Sequence, residues 1–313
     1  MAKSQPKYLT GDVAAINDFL DRFDTFLLDC DGVIWSGDQV LPNVRETLAF
    51  LREKGKKIIF VTNNSTKSRS QYLTKFTRLD IPASVDEIFG SAYSSAIYIS
   101  RILRLPPPKN KVFVVGESGI EQELLAEGIP FIGGTDPSFR RDMTPADWAG
   151  IADGSLLDPD VGIVLAGLDM HINYLKWSHA LHYLHRGAVF LATNTDATFP
   201  SHGSLFPGAG SIGMSPLAYM SGRQPVALGK PSQAMLDAVE GRFQLDRART
   251  CMVGDRLNTD IQFGVEGRLG GTLLVLTGVC KRGDWEKEDA PAVPGWVAEG
   301  LGDLLAAKTE TGE

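Results

Sequence analysis

Two patterns alternate along the chain. Short apolar runs end on Asp, Thr or Gly, and segments follow in which apolar residues recur every third or fourth position. Phe26-Leu27-Leu28 predicts a buried strand ending at Asp29, and Lys57 to Val61 a second ending at Thr62. Helices are predicted over 42–53, 66–78 and 91–103; in the first, Pro42 suits the opening turn and Val44, Leu48 and Leu51 share one face. Leu105 to Asn110 contains three consecutive prolines, which cannot continue a helix and predict a linker. Strands over 112–115, 161–165 and 189–192 follow, with helices over 120–127 and 174–186 and a turn-rich, irregular excursion over 131–160. After Ser221 to Pro225 the first rhythm returns: strands over 226–228, 250–253 and 272–276, helices over 232–243, 259–267 and 295–307.

Alternating strands and helices imply parallel sheets covered on both faces. The expected fold class is α/β, a Rossmann-like parallel-sheet core interrupted by an inserted α/β domain. Residues 1–103 and 223–313 are assigned to the core and 104–222 to the insertion, which the two linkers should let move as a unit. A chain of 313 residues with 43% hydrophobic positions is long enough for two such cores without covalent staples.

Charge narrows the partners. Thirty-one Lys and Arg against 38 Asp and Glu leave a net charge of −7, which argues against nucleic acid or an anionic membrane surface. A small anionic ligand at a locally positive site remains open. No apolar run approaches the ~20 residues of a membrane helix, and the N-terminal segment has no secretory apolar region. Cys30, Cys251 and Cys280 are too few and uneven for a disulfide framework, so a reducing, cytoplasmic compartment is expected.

The candidate chemistry lies at predicted strand ends, where open parallel sheets bind ligands. Four carry reactive or polar groups: Asp29-Cys30-Asp31-Gly32, Thr62-Asn63-Asn64-Ser65, Gly229-Lys230-Pro231, and Gly254-Asp255 running on to Asp260. Crowded carboxylates need a cation, and oxygen ligands with few imidazoles suit Mg²⁺. Asp29 and Asp255 are the expected ligands. An Asp can also attack phosphorus as a nucleophile. Asp31, two residues on, can protonate a leaving oxygen and then deprotonate water. Thr62 and Asn63 offer neutral donors to phosphoryl oxygens, and Lys230 a fixed positive charge. Singly, each segment fits a turn, a helix cap or a helix start. Their order, each at a strand end, carries the functional reading.

The segments DCDGVIW, VTNNSTKSR, ALGKPS and MVGDRLNTDIQFG, with GLDMHINYLK and LTGV, resemble the haloacid dehalogenase-like phosphohydrolases. The resemblance spans essentially the whole chain and is to the C2-capped branch that holds p-nitrophenylphosphatases and phosphoglycolate phosphatases. It implies Asp29 as nucleophile and Asp31 as acid and base, with Gly32, Thr62, Asn63 and Asn64 around the phosphoryl group. It implies that Lys230 anchors nucleophile and phosphate, and that Mg²⁺ is held by Asp29, the Asp31 carbonyl and Asp255. Asp260 would orient ligands, Asn258 support the loop, and residues 32–42 form a mobile flap. The activity so implied is a Mg²⁺-dependent phosphomonoesterase acting through an aspartyl-phosphate on small esters such as 2-phosphoglycolate and p-nitrophenyl phosphate, in a homodimer.

Relatives acting on pyridoxal phosphate carry an Arg soon after the paired asparagines and a His in the cap loop. Thr66 and Phe199 stand at those places here. Phe199, in the loop 193–200, is therefore the expected cap contact with substrate, and pyridoxal phosphate or a sugar phosphate is the alternative ligand. A carbon–halogen hydrolase would have no use for Asp31 and Asp255, and a non-catalytic phosphate-binding module none for Asp31 or a cap. His179, His182 and His185 share one face of a predicted helix, which a packed face or a subunit interface explains better than zinc.

Overall fold

Strands that are apolar on both faces need helices on both sides, and two sheets of this kind organise the computed structural model, which describes residues 5–201 and 204–308. The core sheet has seven parallel strands in the order Lys7–Tyr8, Trp296–Ala298, Gly271–Val275, Thr250–Gly254, Thr25–Leu28, Lys57–Thr62 and Ile88–Gly90. Chain direction across the sheet reverses beside Thr25–Leu28, so Asp29 lies at the switch point where such sheets open a crevice. Helices Val13–Arg22, Val44–Glu53 and Arg69–Arg78 cover one face through Phe19, Leu48 and Phe76. Gln233–Phe243 and Gln262–Glu266 cover the other through Leu236 and Phe263.

The inserted sheet has five parallel strands in the order Val226–Ala227, Val189–Ala192, Val161–Ala166, Lys111–Val115 and Phe131–Gly133. Two expectations are corrected by this order. Val226–Ala227, assigned to the returning core, pairs with Leu191 and Ala192, so the chain leaves the cap after 227 rather than at 222. Residues 131–160 are not irregular throughout. Phe131–Gly133 extends the cap sheet, and Pro145–Asp153 is a helix opened by a Thr144–Asp147 capping box.

A third correction concerns 295–307. Trp296–Ala298 is a strand paired with Leu273 to Val275, and only Leu301–Lys308 is helical, in a 3₁₀ form. The apolar residues on either side of Glu299-Gly300 mimic one helical stripe but serve two elements. The N-terminal strand and helix, with Asp12 capping the latter, add elements beyond those expected.

Cap and core share a helix. Ser91–Ile97 continues as a wider turn over Tyr98–Leu103; Tyr93 and Ile97 pack on the core, while Ala92, Ala96 and Ile99 pack on the cap. The buried carboxylate of Glu123 also receives Arg69 from the core at 3.0 Å. These contacts form a seam between cap and core.

His179 is buried in the cap, stacked on Phe113 at 5.8 Å between ring centroids and beside Phe139. Burial lowers its pKa from 6.5 to about 4, with His182 and Arg141 assisting and Asp147 opposing. The unfolded chain thus takes up this proton at higher pH than the folded one, and stability is lost as pH falls from about 6.5 towards 4. His179→Gln should flatten that part of the profile, read as urea midpoints at pH 7 and 4.5. An unchanged slope would assign the effect to other groups.

Candidate active site

Three acidic side chains converge where the core strands end. One carboxylate oxygen each from Asp29, Asp255 and Asp260 lies within 4.8 Å of the others. Lys230 is buried against them, its Nζ 2.7 Å from Asp29 Oδ1, 2.8 Å from Asp260 Oδ1 and 2.7 Å from the Val61 carbonyl. Asp260 Oδ2 accepts the main-chain N–H groups of Asp255 (3.2 Å) and Arg256 (3.1 Å), and Asp255 Oδ2 accepts that of Val279 at 2.7 Å.

One ammonium among three carboxylates leaves a charge deficit. Burial raises the Asp29 pKa well above the carboxylate range; Lys230 opposes it, and Asp260 and Asp255 add to it. Burial and then Asp260 push Asp255 up to about 7. Burial also works against the Lys230 charge, but Asp260 and Asp29 outweigh it and hold the ammonium protonated. A further cation beside Asp29 and Asp255 would favour their charged forms.

Asp31 stands apart from this cluster. Its Oδ1 accepts Trp35 Nε1–H at 2.8 Å, and the Gly32 N–H donates to the Trp35 carbonyl at 2.7 Å. Gly32 is needed twice over: its φ is +87°, and a Cβ there would come within 2.6 Å of Asp255 Oδ2. The turn leads into a hairpin of Trp35–Ser36 and Gln39–Val40, the expected flap, whose 36–39 stretch lines a cavity of about 670 Å³. Asp29, Asp31, Thr62, Asn63, Asn64, Lys230 and Phe199 line the same cavity.

Asn63 does not present a free amide to a substrate. Its Oδ1 accepts the Lys230 N–H at 2.7 Å, and its Nδ2 donates to the Lys230 carbonyl (3.0 Å) and to Asp196 of the cap (3.1 Å). A buried amide must satisfy its own groups, and this one does so by clamping the Lys230 main chain. Asn194 Nδ2 donates to the Asn63 carbonyl at 2.7 Å, docking the cap loop on the same residue. Thr62 Oγ1 accepts the Asn64 N–H at 3.2 Å, and Asn64 Oδ1 accepts from Thr66, so both side chains also brace their own loop. Asn258 is exposed and outside the cavity lining, whereas the next residue, Thr259, lines it. Asp260, expected behind the ligands, is a full member of the carboxylate cluster.

A haloacid dehalogenase-like hydrolase family model covers residues 26–130, and a HAD-hydrolase-like model covers 227–304. A 4-nitrophenylphosphatase of Schizosaccharomyces pombe is 51% identical over 92% of this chain and 95% of its own. The chain belongs to the haloacid dehalogenase-like hydrolases. The chloroplastic phosphoglycolate phosphatase 1A of Arabidopsis thaliana is 40% identical over 94% of this chain and 80% of its own. A glycerol phosphate phosphatase from Mycobacterium tuberculosis, solved in complex with magnesium, superposes with a TM-score of 0.74 at 26% identity, covering 91% of this chain and 77% of that one.

Within this hydrolase, some functional neighbours escape sequence reasoning. Trp35 holds Asp31 and Thr259 lines the cavity, whereas Asn194 and Asp196, which bind Asn63, belong to the expected cap loop 193–200. The 194–196 stretch sits beside the expected cap loop residue Phe199, whose ring lies 5.9 Å from Phe206 across the hairpin Thr198–Ser201 and Ser204–Pro207. Glu117, Asp169 and His171 also approach within 4.8 Å of one another in the cap. Arg140 (2.7 Å from Glu117) and Lys176 (2.6 Å from Asp169) already neutralise that group. Burial raises the Cys30 thiol pKa, and Asp29 and Asp31 add to it, which keeps it unreactive.

Proposed function

We propose that this hydrolase is a Mg²⁺-dependent phosphomonoesterase acting on small phosphorylated metabolites of the 2-phosphoglycolate type, and also on p-nitrophenyl phosphate. One observation carries the reading. Asp29 and Asp31 face one cavity from one strand end, with Lys230 fixed on Asp29, beside a carboxylate cluster short of positive charge.

Asp29, Asp255 and Asp260 fit a hard divalent cation, because buried oxygen ligands and an unfilled charge deficit are what Mg²⁺ requires. Bound there, Mg²⁺ would supply neutralisation of phosphoryl oxygen charge. Asp29 attacks phosphorus, forming an O–P bond as the ester O–P bond breaks, and Asp31 gives its proton to the departing oxygen. Asp31, now a carboxylate, takes a proton from the water that attacks the aspartyl-phosphate. Phosphate leaves and Asp29 is restored. Lys230 holds Asp29 in place through both steps, and the cap loop at 194–196 helps exclude bulk water.

Phosphate release from p-nitrophenyl phosphate tests the reading. A chelator is expected to reduce turnover at least about 100-fold, with full recovery on adding Mg²⁺. Undiminished turnover in chelator would remove the metal from the mechanism, and no release under any condition would remove the activity.

A further inference from the structure

Lys75 is a lysine of the core helix Arg69–Arg78 that no step above uses. Its side chain is 10% exposed, and it lines the catalytic cavity between the flap and Asn64. Tyr72 and Phe76 of the same helix are buried and pack on Trp35, which fixes where this helix face points. The ammonium stands 4.1 Å from the centre of the Trp35 ring and 3.9 Å from Asp31 Oδ1. That separation is too long for a hydrogen bond, and the Oδ1 already accepts Trp35 Nε1–H. Among the described residues Lys75 Nζ makes no hydrogen bond; its neighbours are the Trp35 ring and, at 3.9 Å, Asp31.

The stem is covered by Trp35 while the ammonium, with three donors, faces the cavity, where an anionic ligand can complete it. The other cations of the cavity are differently placed. Lys230 is taken up by Asp29 and Asp260, Arg256 donates to the Thr198 carbonyl, and Lys67 is exposed at the mouth. Lys75 is also next to the group that must protonate the leaving oxygen. When Asp31 meets the ester oxygen, whatever that oxygen carries is set down beside Lys75. A carboxylate two bonds from the ester oxygen would meet the ammonium there, whereas an aryl group would face the Phe199 side of the cavity.

We propose that Lys75 selects the leaving group by binding a carboxylate borne next to the ester oxygen, which makes phosphate monoesters of 2-hydroxy acids the preferred substrates. This rests on the phosphatase reading of the same site. The lysine stem over the indole supplies orientation, and the free donors supply the charge-assisted contact.

The test compares kcat/KM of the full chain with Mg²⁺ for 2-phosphoglycolate, glycerol 3-phosphate and p-nitrophenyl phosphate, in wild type, Lys75→Met and Lys75→Arg. Methionine keeps the stem over Trp35 and removes the charge. Lys75→Met is expected to lower kcat/KM for 2-phosphoglycolate at least about tenfold more than for the two esters without a carboxylate, chiefly through KM, with Lys75→Arg recovering part of the difference. An equal fall for all three esters would mean that Lys75 acts only on Asp31, and would overturn the proposal. An unchanged ratio would overturn it too. Wild-type protein that cleaves the other esters but not 2-phosphoglycolate sinks this proposal alone; wild-type protein inert on all three sinks the phosphatase reading beneath it.

Discussion

Asp29→Asn is expected to reduce turnover by at least about 10⁴-fold while the protein stays folded. The nucleophile is the one group whose chemistry no neighbour can replace: Asp260 is held by the main chain of its own loop, Asp255 by the Val279 N–H, and Asp31 is turned away towards Trp35. The amide keeps the carboxylate's shape and can still accept from Lys230 Nζ. It also removes one of three mutually repelling buried anions, since burial first, and then Asp260 and Asp255, raises the Asp29 pKa. The metal-free variant should therefore melt no lower than metal-free wild type. Phosphate release at enzyme-excess concentrations and thermal melts in chelator check both halves. Substantial turnover in a folded Asp29→Asn protein, shown free of wild type, would eliminate the aspartyl-phosphate route.

Lys230→Met should have the second largest effect, and it should reach stability as well as catalysis. Lys230 is 2% exposed and bridges Asp29 and Asp260. Removing one partner of a buried ion pair costs about 3–5 kcal/mol, because the remaining charges lose their compensation. Here two carboxylates are stranded, with a third beside them. Turnover should fall by about 10³-fold or more, since the fixed charge on nucleophile and phosphoryl group is gone. Mg²⁺ should then stabilise the variant more than it stabilises wild type, because the cation takes over part of the lost neutralisation. Urea unfolding with and without Mg²⁺ measures this. A variant as stable as wild type in chelator would show that the lysine is not what holds the cluster together.

Much of this site was legible in the chain because a buried parallel strand leaves a plain signature. After an apolar run such as Phe26-Leu27-Leu28, the next polar residue must lie at the sheet's carboxyl edge, and Asp29, Thr62 and Asp255 all do. Local periodicity determined these positions, the helices between them, and hence an α/β fold with its chemistry at one edge. It could not determine which distant elements meet. Val226–Ala227 reads like any short core strand, yet its partner is Val189–Ala192, a choice made by the cap sheet's free edge. The Asn63 amide looked available to substrate, but Asp196 of the cap and the Lys230 main chain consume it. Asp260 entered the carboxylate cluster because the turn after Asp255 folds back on its own amides, and Lys75 reached Asp31 because aromatic packing of Tyr72 and Phe76 on Trp35 turned one helix face inward. Residue type and spacing set what each strand end can do; contacts between residues far apart in sequence decided which groups are spent on structure and which are left facing the cavity.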